Sequence, residues 1–121
     1  MTETPDPGLY YAASDVFVLS SRVESYPRVI LEAMAAGLPI ITTPVYGIAE
    51  QVRENVNALC YAPGDVQALA DHLERLCREP RLRHTLADNS RHVLDTLNDF
   101  ESMVAAYADV FREAWLSGRP R

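Results

Sequence analysis

The sequence of 121 residues contains no lysine: all eleven of its basic residues are arginines. No Schiff base and no lysine phosphate clamp can therefore be built from this chain. Cysteine is scarce as well. Cys60 and Cys77 are too few for a disulfide scaffold and lack the spacing of a metal site. Both are expected to be reduced, buried small hydrophobes in a cytoplasmic protein. No apolar run approaches the length of a membrane span. The acidic, proline-rich opening, Met1 to Gly8, reads as a loop or disordered end rather than a signal peptide. Positive charge is in deficit: seventeen acids against eleven bases leave a net charge of −6, which disfavours general nucleic-acid binding.

What is present suffices for one globular domain over 1–121, since 48% of the residues are apolar. Val16-Phe17-Val18-Leu19-Ser20 and Pro39-Ile40-Ile41-Thr42-Thr43 are short, continuous apolar runs of the kind that forms strands buried on both faces of a parallel sheet. Ala58-Leu59-Cys60-Tyr61 is a weaker third, closed by a turn at Pro63-Gly64. A helical turn is expected over Leu9 to Ser14. Between the first two strands lies a helix over Val29 to Ala36, with Pro27 suited to its first position and Gly37 to its C-terminal cap. Three amphipathic helices follow: one capped by Asp65 and running to about Cys77, one from Pro80 towards Leu94, and one capped by Asp99. The last carries Met103, Tyr107, Val110, Phe111 and Trp115 at helical spacing, a stripe that reads as core. The fold class is α/β: a partial Rossmann-like domain with a short parallel sheet of about three strands flanked by helices.

Chemistry concentrates in Ser20 to Gly37. Glu32 sits among Val29, Ile30, Leu31, Ala33, Met34, Ala35 and Ala36, in a helix apolar nearly all round. A carboxylate buried there requires a hydrogen-bond donor, which a ligand hydroxyl, a backbone amide or an arginine would each supply. Glu24 lies in the loop after the first strand, at the carboxyl edge of the sheet where α/β proteins bind ligands. The helix N-terminus near Arg28 offers free amides to an anion at the same place. Taken alone, Glu24 reads as a solvated loop acid and Arg28 as a surface residue. Together, hydroxyl-seeking carboxylates beside an anion-seeking helix end suit a sugar or nucleoside carrying phosphate. Gly47 opens a second loop at the same edge, where it permits a turn or a close backbone approach. Glu50 starts a short helix after it.

The string Ser-Arg-Val-Glu-Ser-Tyr-Pro-Arg-Val-Ile-Leu-Glu-Ala-Met-Ala-Ala-Gly-Leu-Pro-Ile-Ile-Thr, with seven residues between Glu24 and Glu32, resembles the E-x7-E signature of group 1 (family 4) glycosyltransferases of the GT-B fold. Tyr11 to Ser20, Gly47-Ile48-Ala49-Glu50 and Ala62-Pro63-Gly64-Asp65 extend the similarity, which runs from about Leu9 to Leu97. The family transfers a sugar, with retention, from a nucleotide-diphosphate donor held mainly on the C-terminal of two Rossmann-like domains. The resemblance implies that Glu24 contacts hydroxyls of the sugar near the reacting carbon, as the catalytic residue. It implies that Glu32 binds the ribose hydroxyls, and that Ser25, Tyr26, Pro27, Arg28, Val29 and Gly47 lie against the rest of the nucleotide sugar. Neither a metal nor a cofactor is expected.

The chain departs from the family in three places: Pro27 stands for a common glycine, Asn55-Val56-Asn57-Ala58 for a stretch that often holds two glycines, and Ala49 for a frequent proline. The family's basic pair, usually arginine and lysine, and its acceptor-binding N-terminal domain have no counterpart here. The chain is therefore expected to be the C-terminal, sugar-donor-binding fragment of such an enzyme, inactive alone, pairing with the missing domain or with itself through an exposed sheet edge. The alternative is a non-catalytic nucleotide-sugar-binding or interaction module.

Overall fold

The computed structural model describes residues 6–97 and 99–117; the first five residues of the expected N-terminal loop lie outside them. The elements are α1 (Gly8–Ala12), β1 (Phe17–Leu19), α2 (Arg28–Ala35), β2 (Ile40–Thr42), α3 (Ile48–Gln51), β3 (Ala58–Cys60), α4 (Val66–Arg78), α5 (Pro80–Leu94) and α6 (Phe100–Leu116). Gly8, expected in the loop, instead opens α1.

The three strands form one parallel sheet in the order β1-β2-β3. Ile40 pairs with Phe17 on one side and Ala58 on the other, and Ile41 with Val18 and Leu59. Successive strand residues point to opposite faces, and the core divides accordingly. Ile40 and Ala58 pack with Ile30, Ala33, Met34, Ile48 and Val93 on one face. Ile41 and Leu59 pack with Tyr61, Leu76 and Leu86 on the other. Helix α5 serves both faces, through Leu86 and Val93.

Only the central strand is buried throughout. The expectation of two-sided burial fails for β1: Val18 is 38% exposed, while Phe17 and Leu19, on the other face, are partly buried against the core.

The turn from α2 into β2 is set by backbone geometry. Gly37 takes φ +68, its amide bonds to the carbonyl of Met34 at 2.9 Å, and the amide of Leu38 bonds to that of Ala33 at 3.0 Å. These two bonds make a Schellman cap, whose left-handed residue is best supplied by glycine. The guanidinium of Arg91 occupies the space where a side chain at 37 would go. Pro27 stands at the N-cap of α2 with ψ 123, one place earlier than expected. Asp65 and Asp99 cap as expected, each accepting a bond from the amide three residues on, Ala68 at 2.9 Å and Ser102 at 2.8 Å.

Two expectations of burial are corrected. The stripe on α6 is not core: Tyr107, Val110, Phe111 and Trp115 are all exposed and the helix buries no residue. An apolar stripe signals a face that seeks cover, and the described residues do not supply it. Cys77 is exposed rather than buried, while Cys60 is half-buried. Burial, with a smaller contribution from the charge of Glu54, pushes the Cys60 thiol up to about 11, which keeps it protonated and unreactive.

Candidate functional site

The loop after β1 is held from below by the end of β2. Thr42 Oγ1 donates to the carbonyl of Leu19 at 2.9 Å, and Thr43 Oγ1 donates to that of Ser21. Both threonines are fully buried. Ser21 in turn donates its hydroxyl to Glu24 Oε1 at 2.8 Å. One carboxylate oxygen of Glu24 is thus oriented from within the loop, and the other has no partner among the described residues.

The second loop closes on the first. The amide of Gly47 donates to the carbonyl of Glu24 at 3.3 Å. A Cβ at position 47 would overlap the carbonyl oxygen of Ser25. Gly47 is therefore needed for close approach and not for its conformation, since its φ is an ordinary −63. The positive φ of this turn falls on Tyr46. From α3, the side-chain amide of the buried Gln51 donates to the carbonyl of Pro27 at 3.2 Å. Glu24, Ser25, Pro27 and Gly47 are so brought into one hydrogen-bonded assembly at the carboxyl end of the sheet.

Arg28 and Val29 open α2 beside this assembly. No side chain caps the helix, and Pro27 contributes no amide; the amide of Ile30 donates to the carbonyl of Pro27 at 3.3 Å, which leaves the amides of Arg28 and Val29 to solvent or ligand. Arg28 is almost fully exposed, with its side chain at 89%. Tyr26, also exposed, lines a cavity of about 560 Å³ with Glu50, Thr96, Leu97, Met103 and Tyr107.

Glu32 departs from expectation. It is not sealed in an apolar interior: its side chain is 39% exposed, because α2 buries only Ile30, Ala33 and Met34 and turns Ala35 and Ala36 outward. Its hydrogen-bond donor is one the sequence reading did not include. The hydroxyl of Tyr11, on α1, donates to Glu32 Oε2 at 2.9 Å. The Arg28 guanidinium stands 4.0 Å from Oε1, one helical turn away. Burial, then the hydrogen bond to Glu32, then the carboxylate's charge, raise the Tyr11 hydroxyl to about 12 and keep it a donor. The signal that could have found Tyr11 is the need of Glu32 for a partner, combined with an aromatic helical turn just ahead of β1.

Glu24 and Glu32 thus occupy different local settings. Glu32 opens on a largely apolar cavity of about 370 Å³ lined by Pro7, Gly8, Tyr11, Ala12, Ala35 and Ala36, which Glu24 does not line. Such an arrangement suits an elongated ligand with hydroxyls at two places and an anionic group near the start of α2. Among the described residues, no three His, Cys, Asp or Glu side chains gather into a group that could hold a metal ion. No helix among them is long and apolar enough to cross a membrane.

The family model for glycosyl transferases group 1 matches residues 2–93. The chain is 38% identical over 109 residues to a D-inositol 3-phosphate glycosyltransferase of Actinosynnema mirum, covering 85% of this chain and 26% of that protein. It is 32% identical over 99 residues to the capsular polysaccharide biosynthesis glycosyltransferase CapM of Staphylococcus aureus, covering 82% and 26%. Among solved structures, sucrose-phosphate synthase from Thermosynechococcus elongatus superposes with a TM-score of 0.78 at 30% identity, over 91% of this chain and 28% of that one. HepE of Anabaena, in complex with UDP-glucose, superposes with a TM-score of 0.76 at 27% identity, over 86% and 29%. The chain spans about a quarter of the length of the curated relatives it matches.

Proposed function

Because the chain belongs to the group 1 glycosyl transferases, we propose that it is the nucleotide-sugar-binding portion of a retaining glycosyltransferase that moves a hexosyl group from a nucleotide-diphosphate sugar to an acceptor. The observation that carries this reading is the clamp between the two loops. The backbone of Glu24 and Ser25 is pinned against Gly47, at the carboxyl edge of the sheet and beside the uncapped start of α2.

In that geometry Glu24 takes sugar hydroxyls through its free carboxylate oxygen, near the reacting carbon. Glu32 takes the ribose hydroxyls. Ser25, Tyr26, Pro27, Arg28, Val29 and Gly47 line the path between. Transfer breaks the bond between the anomeric carbon and the diphosphate, forms one to the acceptor oxygen, and releases the acceptor's proton. Negative charge develops on the leaving diphosphate, and amides at a helix start are suited to receive it. One similar structure holds UDP-glucose, so uridine diphosphate sugars are the first ligands to try. A site supplied by nucleotide sugars is consistent with the cytoplasm.

Covering surfaces belong to the same proposal. The exposed β1 edge and the apolar face of α6 pair with a second copy of the chain or with a domain like those that make up the rest of its relatives' length.

A second reading, a non-catalytic nucleotide-sugar-binding or interaction module, is favoured by one observation. The chain has no lysine, and the basic residues of its motif stretch are only Arg22 and Arg28, so little charge is available to neutralise a leaving diphosphate.

Calorimetric titration with UDP, GDP and ADP and their glucose or mannose conjugates tests the reading. Saturable binding of one nucleotide series is the expected result. A folded chain that binds none of them would overturn it.

A further inference from the structure

Glu32 is placed on α2, but what fixes its carboxylate comes from another element. Tyr11 on α1 is held in turn by the core: it packs against the main apolar cluster, and its ring lies 5.9 Å from that of Phe17 on β1, tilted at 40°. Its hydroxyl then reaches Glu32 Oε2 at 2.9 Å. The other carboxylate oxygen, Oε1, accepts no hydrogen bond among the described residues; its nearest cation is the solvent-exposed Arg28 at 4.0 Å. Tyr11 and Glu32 both line the cavity of about 370 Å³. A glutamate on a helix surface ordinarily samples several rotamers, and a ligand that needs one of them must bear the ordering cost. Here a partly buried tyrosine, packed against the core, selects the rotamer beforehand.

We propose that Tyr11 is the positioning residue of the ribose site: by tethering Glu32 Oε2 it presents Oε1, already oriented, to the hydroxyls of the bound nucleoside. This rests on the assignment of Glu32 to those hydroxyls. Tyr11 itself touches no reacting atom. It acts through Glu32, and its contribution is confined to ligands that carry the diol. The core-packed ring, rather than the hydroxyl, is what the fold needs, so Tyr11→Phe keeps the packing and removes only the tether.

Charge around the pair is simple. Arg28 lies on α2 itself, α1 adds no charged residue between Gly8 and Ala12, and the charge of Glu32 is one cause of the raised Tyr11 hydroxyl. Loss of the carboxylate is therefore visible at the tyrosine without any ligand.

The test uses the whole 121-residue chain and three probes: UDP, 2′,3′-dideoxy-UDP and tyrosinate absorbance. In the wild type, UDP is expected to bind more tightly than its dideoxy analogue. In Tyr11→Phe the UDP affinity is expected to fall about three- to tenfold, while the affinity for the dideoxy analogue stays the same. A residue that merely supported the fold would weaken both ligands alike. In the absorbance titration the component near pH 12 should vanish in Tyr11→Phe and move down in Glu32→Gln. A wild type that discriminates, with a Tyr11→Phe variant that discriminates equally well, overturns the proposal. So does a Tyr11 titration that ignores Glu32→Gln. A wild type that binds UDP but does not distinguish it from the dideoxy analogue instead removes the ribose assignment on which the proposal stands, and overturns both.

Discussion

The α-carbon of Gly47 lies so close to the carbonyl of Ser25 that any side chain at position 47 would overlap the oxygen. The two residues belong to different loops, one following β1 and the other β2. Their contact converts two sheet-edge loops into one cradle, and the amide of Gly47 seals it by bonding to the carbonyl of Glu24. Backbone here meets backbone, so a methyl group cannot be accommodated by a rotamer change.

Gly47→Ala is expected to destabilise the fold by about 1–3 kcal/mol, the usual cost of overpacking a close contact. Urea unfolding measures it. Because the displaced element is the Glu24 loop, nucleotide-sugar affinity should fall as well, in a variant that remains folded at low temperature. Wild-type stability in this variant would show that the two loops are not in contact.

Glu32→Gln keeps the volume and the half-exposed position but removes the charge. Unfolding free energy is expected to change by no more than about 1 kcal/mol, since the side chain meets water, no buried ion pair is broken, and the amide oxygen of glutamine can still accept from the Tyr11 hydroxyl. Affinity for a ribonucleotide should drop roughly tenfold, because hydrogen bonds to a charged group are among the stronger ones. Calorimetry on the two proteins reads both the affinity and, through a thermal scan, the stability.

The hydroxyl of Tyr11 makes stability depend on alkaline pH. Its folded value, about 12, lies above the ordinary 10.0, so between these values the native state retains a proton that the unfolded chain has lost. The contribution is fully present below pH 10.0, declines as pH rises towards 12, and is gone above it. The expected outcome is that the stability difference between wild type and Tyr11→Phe shrinks across this window and is constant below it. Denaturant melts at a series of alkaline pH values follow it.

The face of α6 carries Tyr107, Val110, Phe111 and Trp115 into solvent. Concentration-dependent association is expected for the chain in solution, and Phe111→Glu with Trp115→Glu should abolish it without lowering helicity. Sedimentation velocity over a wide concentration range is the measurement. Association unaffected by these changes would assign it to the β1 edge instead.

Much of this architecture was legible in the sequence, for reasons tied to local physics. Strand runs, the cap at Gly37 and the caps at Asp65 and Asp99 each depend on a few consecutive residues, and all appear where the pattern places them. Gly47 was legible as either turn or close approach, and only the fold selects the second. Tyr11 was legible only as part of an aromatic helical turn ahead of β1; its bond to Glu32 was not, because it joins residues 21 apart whose meeting depends on how α1 lies over α2. The exposure of Val18 and α6 was misjudged for a related reason. An apolar pattern states that a surface needs cover, but not whether the covering surface is found nearby.

The central claim is that the Glu24–Gly47 cradle and the start of α2 form one nucleotide-sugar site. Its most direct test is amide chemical-shift mapping of the isotope-labelled chain during titration with UDP-glucose. The account predicts saturable shifts that gather at Glu24, Ser25, Arg28, Val29 and Gly47, with a second group at Tyr11 and Glu32. Shifts confined to α4, α5 or α6, or none at all in a folded chain, would contradict it.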